Sequence, residues 1–313
     1  MVDSSEELNS NWSQASIGPD HEIIVRIIKP VLDDAIPPYW YHQNAYLTHF
    51  LNSLSFIFPP GEEVFVNSVN QFRDQIRDPQ LRRDIKGFVS QEFNHSHLHE
   101  VLNQWVARHH EKAIYYQKSL KKIIAKGYQL LRKINPKMTL ASTAGYEHLT
   151  AIMAAQLLKR EDVIAKMHGD IKYIFILHAI EEIEHKSVAF DVYEKVHGKY
   201  LLRVVSYVFA TLFLFFMVTM STIGMLLDDK QIFNAKSALT AFRELFGIRG
   251  FFTGLIPAYF VYFKPGFHPR QIRDTERLGL WRERLARSIP VKELGTRRVV
   301  DRDASHVRPG VGA

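Results

Sequence analysis

The stretches QEFNHSHLHE and HAIEEIEHKSVAFD each carry a carboxylate and an imidazole three positions apart, Glu92 with His95 and Glu182 with His185. Positions i and i+3 share a helix face, so each pair can offer one oxygen and one nitrogen to a common point. Two such helices supply half of a dinuclear metal site, and a bundle that holds two ions takes a further Glu from each of two other helices. Glu62, before the first pair, and Glu147, between the pairs, occupy those places. The order Glu, Glu-x-x-His, Glu, Glu-x-x-His is that of ferritin-like di-iron carboxylate proteins.

At 100° per residue, His99 shares the arc of Glu92 and His95, whereas Asn94 and His97 point away. His178 and Glu181 likewise share the face of Glu182 and His185, and Glu184 does not. His99 is therefore a candidate further metal ligand or ligand-orienting group, and His178 and Glu181 are candidate catalytic or ligand-orienting groups. Glu63 competes with Glu62 for the inward position. His148 reads as a helix-surface residue, and His109 and His110 as solvated. A single Glu-x-x-His is ordinarily a surface pair, but two copies in otherwise apolar helices would each cost several kcal/mol if buried unpaired. Carboxylate and imidazole donors suit two ions of iron, with manganese or zinc as alternatives.

These residues need helices to present them, and the chain reads as all-α. An apolar stretch from Tyr41 to Phe58 ends at Pro59, Pro60 and Gly61, which predict a break and a new helix with Glu62 in its first turn. A helix from Pro79 to Val106 carries the first pair. The basic amphipathic EKAIYYQKSLKKIIAKGYQLLRKI follows as a crossover, then a third ligand helix with Glu147, and a fourth from Ile171 to Val196. Small residues Ala144, Ala151 and Ala154 lie near the face of Glu147. No segment with the two-residue period of a strand is long enough to build a sheet.

Among 313 residues there is no cysteine, which excludes disulfides, thiolate ligands and cysteine nucleophiles. The formal charge of +7 gathers in an arginine-rich stretch from Arg270 onward. No recognition motif for nucleic acid accompanies it, so anionic lipid is the favoured partner. The first residues are polar and acidic, unlike a cleavable leader. Residues 204–227 (VVSYVFATLFLFFMVTMSTIGMLL) contain no charge. That run exceeds the roughly 20 residues that cross a bilayer, and is read as a spanning or deeply embedded helix in preference to a buried core helix. Residues 250–263 (GFFTGLIPAYFVYF) are too short to span and read as a re-entrant or interfacial element, so that the two runs form a hairpin. Basic residues on both flanks place the catalytic part and the tail in the cytoplasm, at the inner membrane. The expected organisation is a disordered terminus (1–24), a metal-binding bundle (25–198), a membrane-associated segment (199–268) and a basic tail (269–313).

The motifs FPPGE, FVSQEFNHSHLHE, HAIEEIEHKSVAFDVY and FKPGFHP resemble those of a bacterial family of predicted metal-dependent hydrolases, over residues 25–270. The resemblance marks Glu62, Glu92, His95, His99, His178, Glu182 and His185 as matching positions. Three functions follow. The first is a membrane-associated di-iron oxygenase, a hydroxylase or desaturase of a lipid-like or other apolar substrate. It calls for an external electron donor, since no flavin or nicotinamide fingerprint is present. The second is a hydrolase using a metal-bound hydroxide. The third is a non-catalytic metal- or membrane-binding protein. Assembly as a homodimer is compatible with each.

Overall fold

A computed structural model describes residues 23–294. The chain is helical, as its periodicity predicts: α1 (Ala45–Asn70), α2 (Pro79–His109), α3 (Ala113–Ile134), α4 (Pro136–Lys159), α5 (Ile171–His185), α6 (Val188–Val196), α7 (Tyr200–Asp228), α8 (Ala235–Phe246) and α9 (Thr275–Ser288). Local chemistry sets several starts. Asn44, Asp78 and Asn135 cap α1, α2 and α4 by accepting from backbone N–H groups of the first turn, and Pro79 and Pro136 follow the latter two caps.

The expected break at Pro59 and Pro60 is absent, for α1 runs straight through both and Glu62 lies well inside it. Pro59 has no N–H to donate to the Ser55 carbonyl one turn back. That carbonyl instead accepts the side-chain amide of Asn103 from α2, at 3.0 Å. A neighbouring helix thus restores the hydrogen bond the proline removes. The expected fourth helix is two, with Lys186 and Ser187 between α5 and α6.

α1 packs on α2, α4 on α5, and α2 on α5, so that α1, α2, α4 and α5 surround a shared interior. α7 lies against both α4 and α1. A Cβ at Gly145 would come within 3.0 Å of the Tyr207 backbone, which explains the close approach of α4 and α7. α7 is the one described helix long and apolar enough to cross a membrane, and 44% of its most apolar window is buried against the bundle. The second apolar run returns to the bundle: Tyr262 is buried, Tyr259 and Tyr262 pack on Tyr207, and the Ala258 carbonyl meets His148.

The segment expected to be a basic tail folds in part. α9 packs on α5, and two short strands missed in the sequence, β1 (Val25–Ile27) and β2 (Lys292–Leu294), pair antiparallel with Val25 opposite Leu294. Three residues each are too few to show a strand period. Arg297, Arg298, Arg302 and Arg308, with residues 1–22 of the expected disordered terminus, lie outside the described residues.

Candidate metal centre

Four helices deliver the donors, Glu62 from α1, Glu92 and His95 from α2, Glu147 from α4, and His178, Glu182 and His185 from α5. All are buried, and Glu63 is exposed. They fall into two groups, Glu62 with His95 and His178, and Glu92 with Glu182 and His185; within each, the ligand atoms lie within 4.8 Å of one another. Glu147 joins the second group, its Oε2 3.3 Å from His185 Nε2. Glu182 Oε1 faces both groups, at 3.1 Å from His178 Nε2, 3.5 Å from His185 Nε2 and 3.7 Å from His95 Nδ1.

The proton positions follow from the outer partners of each imidazole. With Glu181 ionised beside Arg26, His95 Nε2, 2.9 Å from Glu181 Oε2, donates to it. Its Nδ1 lone pair then faces the centre. His185 Nδ1 is 3.1 Å from Gln91 Oε1, whose own amide donates to the Ile24 carbonyl and to Glu184. Its Nε2 lone pair therefore also faces in.

A longer chain fixes His178. Ser55 donates to Asn103 Oδ1 at 2.6 Å and so accepts from His99 Nδ1 at 2.9 Å. His99 Nε2 then accepts from His178 Nδ1 at 2.8 Å, which leaves the His178 Nε2 lone pair directed at Glu182. Both nitrogens of His99 are thus engaged, and its place is one step behind His178 rather than among the facing donors.

Three imidazole lone pairs and four carboxylates converge in the buried interior of the bundle. Glu62 Oε1, both oxygens of Glu92 and of Glu147, His95 Nδ1 and His185 Nε2 are buried without a hydrogen-bond donor. Orphaned acceptors at this density are costly in a protein interior unless a cation satisfies them. The residues present therefore fit a metal centre, and Glu182 faces both donor groups. Outer partners hold the ligands in place as metal sites require: Ser96 donates to Glu62 Oε2 at 2.6 Å, and Thr150 donates to Glu182 Oε2.

Electrostatics agree with this arrangement. Burial, and then the neighbouring carboxylates, push Glu92 and Glu147 well above the usual carboxyl range. Glu62 moves the same way through burial, against the hydrogen bond from Ser96. Burial acts on Glu182 too, but the adjacent His185 and His178 outweigh it and hold its carboxyl low. His95 and His99 are held neutral by burial and by the neighbouring His178.

The outermost layer was not foreseen. Glu184, expected to point away from the site, is buried and accepts from Gln91 at 2.7 Å, Arg26 at 2.7 Å and Arg282 at 2.8 Å. Glu181 accepts the Arg26 backbone N–H at 2.9 Å. Through Glu181 and Gln91, β1 and α9 thus reach His95 and His185. Nothing in the spacing of Arg26 or Arg282 signals this, because each lies far along the chain from its partner. His148 and His110, read as surface residues, are both buried. His148 meets the Ala258 carbonyl at 3.2 Å; the covering segment was invisible to a helical projection. His110 meets His49 and Asp229 in a third group of metal-ligand type.

A family model described as predicted metal-dependent hydrolase matches residues 25–273, and the chain belongs to that family. No curated protein and no solved structure matches it.

Proposed function

We propose that this protein is a metal-dependent hydrolase of an apolar, lipid-like substrate, working at a dinuclear carboxylate centre of ferritin-like ligand order. The convergence of unpartnered imidazole and carboxylate lone pairs on Glu182 carries the metal reading, and the family supports hydrolysis over the oxidation first expected. When bound, two metal ions polarise an acyl oxygen and acidify water. The chain's own residues do the rest. Glu181 and Gln91 hold His95 and His185 by their outer nitrogens, Ser55 and His99 hold His178, and Thr150 orients Glu182. Phe58, with its ring 4.5 Å from that of His178, supplies an apolar wall beside it.

A di-iron oxygenase is the second reading, favoured by one observation: four buried carboxylates outnumber the three inward imidazoles, a hard oxygen-rich donor set that suits iron. It requires an external electron donor.

The exposed side of α7 supports attachment to a membrane. Phe209, Leu212, Phe216 and Leu227 are more than half exposed there, and Phe242 on α8 is 61% exposed. A contiguous apolar surface of this kind marks a membrane or protein contact. Because the opposite side of α7 packs along α1 and α4, the helix suits lying in the interface with the bundle beneath it. The cytoplasmic face of the inner membrane is the proposed location.

The test is the metal content of protein purified without air, together with release of acid from a neutral ester with and without oxygen. Oxygen-independent hydrolysis that disappears in Glu182→Ala supports the hydrolase. Two irons per chain with oxygen consumption and no ester cleavage replaces it with the oxygenase.

A further inference from the structure

Two cavities reach the metal centre, and they share Phe58, Thr150, His178 and Glu182 as common walls. The larger, of about 100 Å³, runs between α1 and α4 past Leu54, Met153 and Leu157 to Phe252. The smaller, of about 60 Å³, runs past Phe65 and Tyr146 to Phe213 and Met217 of α7. Their far ends reach exposed apolar side chains: Phe246, 50% exposed, stacks on Phe252 at the end of the first, and Phe213, 37% exposed, stands in the wall of the second. Neither cavity is lined by a lysine or an arginine. The carboxylates in their walls are Glu62 and Glu182 at the centre and Glu244, which is paired with Lys166 at 2.7 Å.

A single apolar pocket ending at a metal centre would suit a substrate that reacts at one end of a chain. Two pockets that meet at Glu182 suit one that reacts in its middle. The lack of a cation in either lining argues against a phosphate or free carboxylate in the arms, because a buried anion needs a paired charge or dense hydrogen bonding. We propose that the substrate is an uncharged ester carrying a hydrocarbon arm on each side of the reacting bond, the longer arm in the cavity that ends at Phe252 and the shorter in the one that ends at α7. This rests on the hydrolase reading. Water adds to the acyl carbon and the bond from that carbon to the alkoxy oxygen breaks. The acyl half leaves as a carboxylic acid with the water's hydroxyl, and the alkoxy half leaves as an alcohol with its proton.

The experiment uses the full chain, metal-loaded, in detergent. A long-chain dialkyl ether with both arms serves as the uncleavable probe, beside a methyl ether of the same total carbon count. Affinity is read by displacement of an environment-sensitive fluorophore. Met153→Trp fills the first cavity and Met217→Trp the second; Met153→Phe and Met217→Phe replace them if the larger ring prevents folding, as judged by circular dichroism and metal content. Both substitutions are expected to weaken the two-armed probe about tenfold or more, equivalent to about 1.4 kcal/mol, whereas the one-armed probe responds to only one of them. A two-armed probe indifferent to either substitution overturns the proposal. Binding is read without turnover, so loss of the hydrolase reading alone appears as intact two-arm binding with no ester cleavage, whereas loss of the two-arm proposal appears as cleavage indifferent to one of the cavities.

Discussion

His49, His110 and Asp229 meet at the end of α7 much as His178, His185 and Glu182 meet inside the bundle, two imidazoles around one carboxylate at similar separations. Their hydrogen bonding differs. Asp229 Oδ2 has His49 Nε2 at 2.9 Å, His110 Nδ1 at 3.0 Å and the Tyr39 hydroxyl at 3.1 Å, three donors around one acceptor. His110 Nε2 also faces the Pro38 carbonyl, at 3.3 Å. Burial raises Asp229, but the hydrogen bonds from His110 and His49 outweigh it and hold its carboxyl well below the usual range. There the protons point inward and the group satisfies itself, leaving only His49 Nδ1 without a partner. At the metal centre the outer partners turn each proton outward, so the lone pairs are left facing one another. Residue type and distance do not separate a metal site from a structural hub. The direction of the protons does.

The sharpest test of that contrast pairs Glu182→Ala with His49→Gln. Glu182 faces both donor groups, so its loss is expected to abolish metal binding by elemental analysis, while His49→Gln leaves the metal content at the wild-type value. A fall in metal on changing His49 would make the hub a metal site and break the distinction.

Removing the metal comes next in size. In the stripped protein Glu62, Glu92 and Glu147 hold protons more tightly than in the unfolded chain, so rising pH deprotonates the unfolded state first and lowers stability. His95 and His99 act oppositely, but their contribution is complete above the ordinary histidine pKa of 6.5. From there upward the carboxylates decide, and the melting temperature of chelated protein is expected to fall with pH. Metal takes the place of those protons, so the gap between loaded and stripped protein widens toward alkaline pH. A gap that narrows instead would remove the carboxylates from the ligand set.

Glu181→Gln keeps the shape but weakens the grip on the outer nitrogen of His95, and is expected to lower metal affinity about 10- to 100-fold. Competition with a chelator of known affinity measures it, and an unchanged affinity would show that His95 needs no orienting partner. Asp229→Asn is the smallest effect, a loss of about 1–3 kcal/mol in denaturant unfolding with metal affinity unaltered.

Much of the inner site was legible because helix geometry is local. The i, i+3 pairs placed Glu92, His95, Glu182 and His185 on shared faces, and the buried ends of those faces do meet. What escaped was set by distant contacts. Pro59 and Pro60 read as a helix break because the sequence does not show Asn103 waiting to accept the role of the missing N–H. His110 and His148 read as exposed because the segments that cover them, Asp229 and Ala258, are far along the chain. His99 shares the ligand arc, yet its partner Ser55 turns it into a support for His178.

Arg282 grips Glu184, Glu184 holds Gln91, and Gln91 holds His185. During synthesis both Glu-x-x-His helices and most of their supports, Arg26, Ser55, Gln91 and Glu181 among them, emerge before Arg282, so the growing chain owns its ligands before the last of their fastenings. The order of synthesis therefore leaves one fastening, the Arg282 grip on Glu184, to be added after every proposed donor is in place. A product ending between α7 and α9 would carry every proposed ligand without that outer grip, and is expected to hold metal less tightly than the full chain.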